Sequence, residues 1–185
     1  MKRKSPIRIL ALDLHPRSFG YVVVEGRDKL LDWGVCTHRG RDTSAHALLE
    51  RRLRQLFALW IPSVVIVHNP PTMYPRVRLQ KNRLLKRIVS EARKCRIGVR
   101  MIRIESRQNP GKKVTKYENA RRVAEHFPVL GWRMPPKRKA WESEHYRMSM
   151  FTAAALAMTY RASNPALRHG YIFARRRDAK VHPEK

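Results

Sequence analysis

Two kinds of residue in this chain could do chemistry: one acid set into an apolar strand, and many clustered bases. The acid is Asp13, which closes the apolar run Ile9-Leu10-Ala11-Leu12. An unpaired carboxylate in the middle of a sheet is costly to bury, so Asp13 calls for partners. The bases fall in runs: Arg76, Arg78, Lys81, Arg83, Lys86 and Arg87; then Gly111-Lys112-Lys113; then Lys137-Arg138-Lys139; then Arg175–Arg177. Lysine and arginine neutralise phosphates and give a sequence-independent affinity that falls steeply with salt. One such run is ordinarily a solvated face, but several together point to a polyanion.

The overall balance supports that reading. Lys and Arg number 41 against 14 Asp and Glu, a formal net charge of +27. Such a surplus repels itself unless a polyanion is nearby, and nucleic acid is the commonest one. An anionic membrane surface is the other candidate, but no apolar run is long enough to span a bilayer, and no membrane partner is expected. The opening Met1-Lys2-Arg3-Lys4 is basic, yet Ile7–Leu12 is too short for a signal-peptide core and Asp13 interrupts it. Cys36 and Cys95 lie far apart, outside any metal-ligand spacing, and read as ordinary reduced thiols. The expected localisation is cytoplasmic, nucleoid-associated if the source is bacterial.

At 185 residues the chain is expected to form one domain over 7–161, with a basic arm at 1–6 and a basic tail at 162–185. Ile7 to Gly34 reads as strand, turn, strand, turn, strand, with His15-Pro16-Arg17-Ser18 as the first turn. Asp42, Thr43 or Ser44 caps a helix whose Ala45, Leu48, Leu49, Leu53, Leu56, Phe57 and Trp60 make one stripe, ended by Pro62. Val64–Val67 reads as a buried strand beside the first. Arg76 to Ile97 reads as a helix with Val77, Leu84, Leu85, Ile88, Ala92 and Cys95 inward, and Arg76, Lys81, Arg83, Lys86, Arg87, Arg93 and Lys94 outward. Val99–Ile104 alternates as a half-exposed strand, Ser106–Lys113 is a basic turn, and a shorter helix carries Val114, Tyr117, Ala120, Val123, Ala124 and Phe127. The last helix is expected to run from Trp141 or Glu142 to Tyr160. Three meandering strands followed by alternating units give an α/β fold with a mixed sheet and helices on both faces.

This order of elements, with Ile9-Leu10-Ala11-Leu12-Asp13, Gly20-Tyr21-Val22-Val23, Leu31-Asp32-Trp33-Gly34, Val64–Val67 and the Ala-rich last helix, resembles the RuvC-type branch of the RNase H-like superfamily, the Holliday-junction resolvases. The resemblance covers roughly residues 7 to 160. It implies a Mg²⁺- or Mn²⁺-dependent endonuclease, a possible homodimer, acting on branched DNA. Its metal ions are held by three or four carboxylates, from strand one, from the end of the fourth strand, and from the last helix, where two acids commonly stand three apart. Two divalent ions roughly 4 Å apart clamp the attacking water and the leaving oxygen, and such hard ions need clustered carboxylate oxygens.

Asp13 fills the first of these positions. The second reads Val67-His68-Asn69, with no acid, and the last-helix pair reads Ser149 and Thr152. If the last helix begins by Glu142, then Glu142, His145, Ser149 and Thr152 share one face, and Glu142 or Glu144 can reach toward Asp13. Those two glutamates can equally complement a helix dipole, and His68 and His145 can be surface or core histidines. The implied catalytic set is Asp13, Glu142, Glu144 and His145, with Asp13 and Glu144 as metal ligands. Trp132, Trp141 and Tyr74 either stack on bases or belong to the peripheral core. The expected function is that of a RuvC-like nucleic-acid-binding protein, active as a Mg²⁺-dependent nuclease or catalytically degenerate, binding branched DNA with RNA not excluded. A ribosome- or RNP-associated structural RNA-binding protein fits the size, charge and tails, although regular patterning covers most of the chain. A transposase- or integrase-like relative would also need three acids.

Overall fold

The computed structural model describes residues 6–37, 44–68, 70, 72–102, 104, 107–109, 112–139 and 141–164. Strands β1 (Arg8–His15), β2 (Ser18–Glu25) and β3 (Lys29–Thr37) form an antiparallel meander. Helix α1 (Ser44–Trp60) leads to β4 (Val64–His68), and α2 (Pro75–Lys94) to β5 (Gly98–Met101). Both of these strands run parallel to β1, in the sheet order β3-β2-β1-β4-β5. A small ribbon, β6 (Arg107–Asn109) with β7 (Lys112–Lys113), precedes α3 (Lys116–His126), a 3₁₀ segment over Pro128–Arg133, and α4 (Met148–Ala162).

The pleat divides the core in two. Leu10, Leu12 and Leu14 of β1 pack with Leu49, Leu53, Leu56, Leu84 and Ile88 of α1 and α2. Ile9 and Ala11 point the other way, into a core with Ala120, Val123, Phe151, Ala154 and Leu156 of α3 and α4. Because successive strand residues alternate faces, Asp13 and His15 share the α4 face with Ile9 and Ala11. Covered on both sides, β1 and β4 read as continuous apolar runs. On the α1 side, Asp32 accepts from Tyr21 Oη at 3.3 Å and Trp60 Nε1 at 3.1 Å, and the Arg52 guanidinium bonds to Tyr21 Oη and sits over its ring. This network ties α1 to β2 and β3. The α3 start is a capping box: Thr115 Oγ1 accepts from Glu118 N, and Glu118 Oε2 accepts from Thr115 N at 2.7 Å.

Several expectations are corrected. The last helix starts at Met148, not at Trp141 or Glu142. Residues 141–146 are all exposed, so nothing there has a buried face to hold a helix against the sheet. Lys81 is not on the outer face of α2. It is 5% exposed, because position 81 stands three before Leu84 on the buried stripe. Cys95 is exposed rather than inward, and Ser106–Lys113 contains a ribbon rather than only a turn. Of the proposed caps of α1, Ser44 is instead the first residue of the helix, while Asp42 and Thr43, the 1–5 portion of the arm and the tail from 165 lie outside the described residues.

The closest approach in the fold is α4 on β2. Gly20, paired with Asp13 across the β1–β2 ladder, lies so near α4 that an added Cβ would stand 2.2 Å from the Ser149 carbonyl carbon. Backbone on both sides leaves little to move. Gly20→Ala is therefore expected to destabilise the protein by about 2 kcal/mol or more, lowering the thermal midpoint by roughly 4–8 °C. An unchanged midpoint by calorimetry would show that α4 does not depend on this contact.

Candidate functional site

The parallel register sets Asp13 of β1 directly beside His68 of β4, on the same face, at the C-terminal end of both strands. Two residues further along β1, His15 projects from that face as well. The three side chains meet. His68 Nδ1 lies 2.8 Å from Asp13 Oδ1, and His15 Nε2 lies 3.0 Å from Asp13 Oδ2. Both carboxylate oxygens are thus engaged by imidazoles, and Asp13 itself is 4% exposed. Burial works to raise its pKa, but the hydrogen bonds and charges of His15 and His68 together outweigh it, so the carboxyl titrates below its ordinary range.

A cavity of about 430 Å³ opens over this cluster, lined by Asp13, His15, His68, Lys81, Lys116, Asn119 and Thr152, with Phe151 and Ile104 among its apolar walls. Helix α2 packs its apolar stripe on the opposite face, yet its first turns carry Lys81 to the sheet end, where Lys81 Nζ donates to the Pro70 carbonyl at 3.1 Å. Burial lowers the Lys81 pKa, the Asp13 charge opposes that, and the Lys116 charge adds to it. The electrostatic content of the cavity is therefore one carboxylate, two imidazoles and two ammonium groups.

The other expected site residues are placed around it. Glu144 pairs with Lys116 at 2.7 Å and lines a smaller cavity with His15, His145 and Ser149. His145 Nδ1 accepts from Arg147 N at 3.2 Å, and its ring stacks on Tyr146. Glu142 is turned back on its own loop, accepting from Lys139 N at 2.8 Å, and lines neither cavity. Ser149 Oγ donates to the Tyr146 carbonyl and Thr152 Oγ1 to the Met148 carbonyl, so both hydroxyl protons are held by backbone. Among the described residues no three His, Cys, Asp or Glu side chains are arranged to hold a metal ion.

The bases divide between this cavity and the surface. Arg76, Arg78, Arg83, Lys86 and Arg87 are exposed along α2, with Arg87 paired to Glu50 at 3.2 Å. Lys137, Arg138 and Lys139 are exposed and form one wall of a groove with Lys116 and Tyr117. Lys112 and Lys113 form β7, and the side chains of both, like Arg175–Arg177, lie outside the described residues. Trp132, Trp141 and Tyr74 are exposed, not core. Residue-by-residue reading missed His15 and Lys116. The signal for His15 was available in the two-residue strand period that places it beside Asp13; Lys116 is brought in by tertiary packing alone.

No protein-family model and no curated protein sequence matches the chain. Solved structures do. Thermus thermophilus RuvC, in complex with Holliday junction substrate, superposes with a TM-score of 0.67 over 90% of this chain and 99% of its own, at 14% identity. The chain has the RuvC-type fold. The yeast mitochondrial Holliday junction resolvase gives a TM-score of 0.52 over 90% of this chain and 82% of its own at 14% identity. The fowlpox virus resolvase, solved with Holliday junction DNA, gives 0.53 over 84% and 99% at 13% identity. Identities this low establish the fold and leave the chemistry to the residues present.

Those residues do not fit the metal pair that the resemblance to RuvC-type enzymes implies. Hard divalent ions need several clustered oxygens of net negative charge. Here one carboxylate is enclosed by two imidazoles, and lysines share its cavity. The acid instead holds the histidines in place.

The sign of the Asp13 shift fixes a pH dependence. A depressed carboxyl pKa contributes stability that is complete above the unfolded-state value of about 3.9 and is lost as pH falls through the folded value. Asp13→Asn is expected to lower stability at neutral pH by about 1–3 kcal/mol. The gap to the parent should close as the pH drops below about 4. Urea-unfolding midpoints across that range measure it, and a gap that stays constant into strong acid would place the stabilisation elsewhere.

Proposed function

We propose that this protein binds branched or duplex DNA through a RuvC-type fold and does not cut it by a metal-dependent mechanism. The observation that carries the reading is the engagement of both Asp13 oxygens by His15 and His68, in a cavity that also receives Lys81 and Lys116. Metal-ion phosphodiester cleavage places the attacking water and the leaving oxygen between two cations, and among the described residues no second carboxylate lines the Asp13 cavity to assemble them. Affinity does not need that step. The exposed bases of α2 and of the 137–139 loop provide phosphate contacts, and the net charge of +27 steers a polyanion toward them. The solved structures of this fold with Holliday junction DNA favour a branched substrate over a plain RNA scaffold. Exposed Trp132, Trp141 and Tyr74 supply stacking surfaces suited to unpaired or distorted bases at a branch point.

The test is incubation with a labelled four-way DNA junction and a linear duplex of equal length, with Mg²⁺, with Mn²⁺ and with EDTA. Retarded complexes with intact strands are expected under all three conditions, with binding that weakens steeply as salt rises. Strand cleavage that requires the divalent ion and disappears in Asp13→Asn would replace this reading with that of an active endonuclease.

A further inference from the structure

The cavity at the ends of β1 and β4 has an excess of donors. Lys81 is almost completely buried, and among the described residues its one hydrogen bond goes to the Pro70 carbonyl. An ammonium group has three N–H donors, so two remain for a group in the cavity it lines. Lys116 reaches the same cavity and lies close enough for the two ammonium charges to act on each other. Its pairing with Glu144 is exposed at both ends, 60% and 32%, and exposed pairs of this kind are weak and readily exchanged. The Asp13 charge acts on Lys81, but its oxygens are hydrogen-bonded to His68 and His15. It instead orients the His68 ring by way of Nδ1, with the ring lining the cavity. Asn119 adds an amide to the wall.

We propose that this cavity seats one phosphodiester of the DNA backbone directly on Lys81 and Lys116, beside His68, so that protein ammonium groups occupy the role that bound metal ions hold in a resolvase of this fold. The proposal rests on the DNA-binding reading above and specifies its central contact. Ammonium groups are strong, charge-assisted donors to phosphate oxygens, and the low dielectric of a part-buried cavity strengthens them further. The volume of about 430 Å³ lies in the ordinary range for a small-ligand site.

The experiment measures binding of the full chain to a fluorescein-labelled four-way DNA junction by anisotropy, in EDTA, across a series of KCl concentrations. Lys81→Met keeps the buried stem and removes the charge; Lys116→Gln changes an exposed residue. Each is expected to weaken binding about three- to tenfold, with the plot of log affinity against log salt flatter by about one. Saturating shifts of the His68 ring resonances on titration with inorganic phosphate, absent in Lys116→Gln, would locate the anion. If Lys81→Met fails to fold by circular dichroism, Lys116→Gln and the phosphate titration carry the test. Both variants binding with parental affinity and salt slope, or His68 resonances indifferent to phosphate, would overturn the seat while leaving DNA binding intact. A requirement for Mg²⁺ in binding would overturn it as well. Failure of the parent protein to bind either junction or duplex would bring down the DNA reading itself.

Discussion

Everything at the functional end of this molecule depends on how one buried carboxylate is satisfied. Asp13 sits at the end of the central strand, where the meander and the parallel strands meet and where α4 closes from above. A lone carboxylate at that depth would be driven to neutrality. Two imidazoles prevent this: one from the paired position on β4, one from two residues along the same strand. The pairing is dictated by sheet geometry. Parallel register puts residue 13 against residue 68, and the strand period puts 15 on the face of 13, so the hydrogen bonds need no loop to adjust. The same two imidazoles stand at the oxygens that a metal ion would approach.

The scaffold around that cluster has the RuvC-type fold, and its α4 carries no acidic residue. Gly20 lets the α4 backbone approach the sheet beside Asp13, and the alanines at 153–155 and 157 keep the rest of the helix close to it. Such an approach brings the side chains of 149 and 152 to the neighbourhood of Asp13, where acids would join a metal cluster. In this chain they are hydroxyls whose protons return to the helix backbone. Close packing is thus preserved where no ligand is delivered, which separates two demands that an active nuclease makes of the same helix.

The fold was legible in the sequence because its signals are local and doubled. Apolar runs of strand length and helix stripes, the first ended by Pro62, each fix an element before any tertiary contact forms. The mixed sheet followed from the order of those elements. The candidate site was legible only in part. Asp13 stood out as the single acid in a buried run, and His68 as the residue at the end of its neighbour. Glu142 and His145 stand at helical spacing from Ser149 and Thr152, but the helix does not extend so far, because the exposed 141–146 segment has no face to bury. Lys81 was assigned to the solvent by its charge, although its position three before Leu84 marks the buried stripe. In a helix so rich in bases, charge hides the one lysine whose register carries it inward. Lys116 could not be found this way at all, since α3 meets the sheet end through packing that no local pattern encodes.

The reversal inside the cavity is consistent with the field outside it. A divalent cation site persists only where the summed potential is negative. Charges beyond about 8 Å are largely screened at physiological salt, so the decision belongs to near neighbours. Here those neighbours are Lys81 and Lys116 against Asp13 and the rim Glu144, with His15 and His68 able to add positive charge but not negative. The balance already lies near neutrality before any phosphate arrives, and the exposed bases of α2 and the 137–139 loop tilt the approach further toward anions. A protein that kept its carboxylate cluster under a net charge of +27 would need local acids to hold its ions against that field. Among the described residues the cavity is lined by one acid, so the field of the exposed bases meets little local opposition there. Under the proposed reading, substrate attraction and site chemistry act in the same direction, and phosphate affinity needs no metal as intermediary.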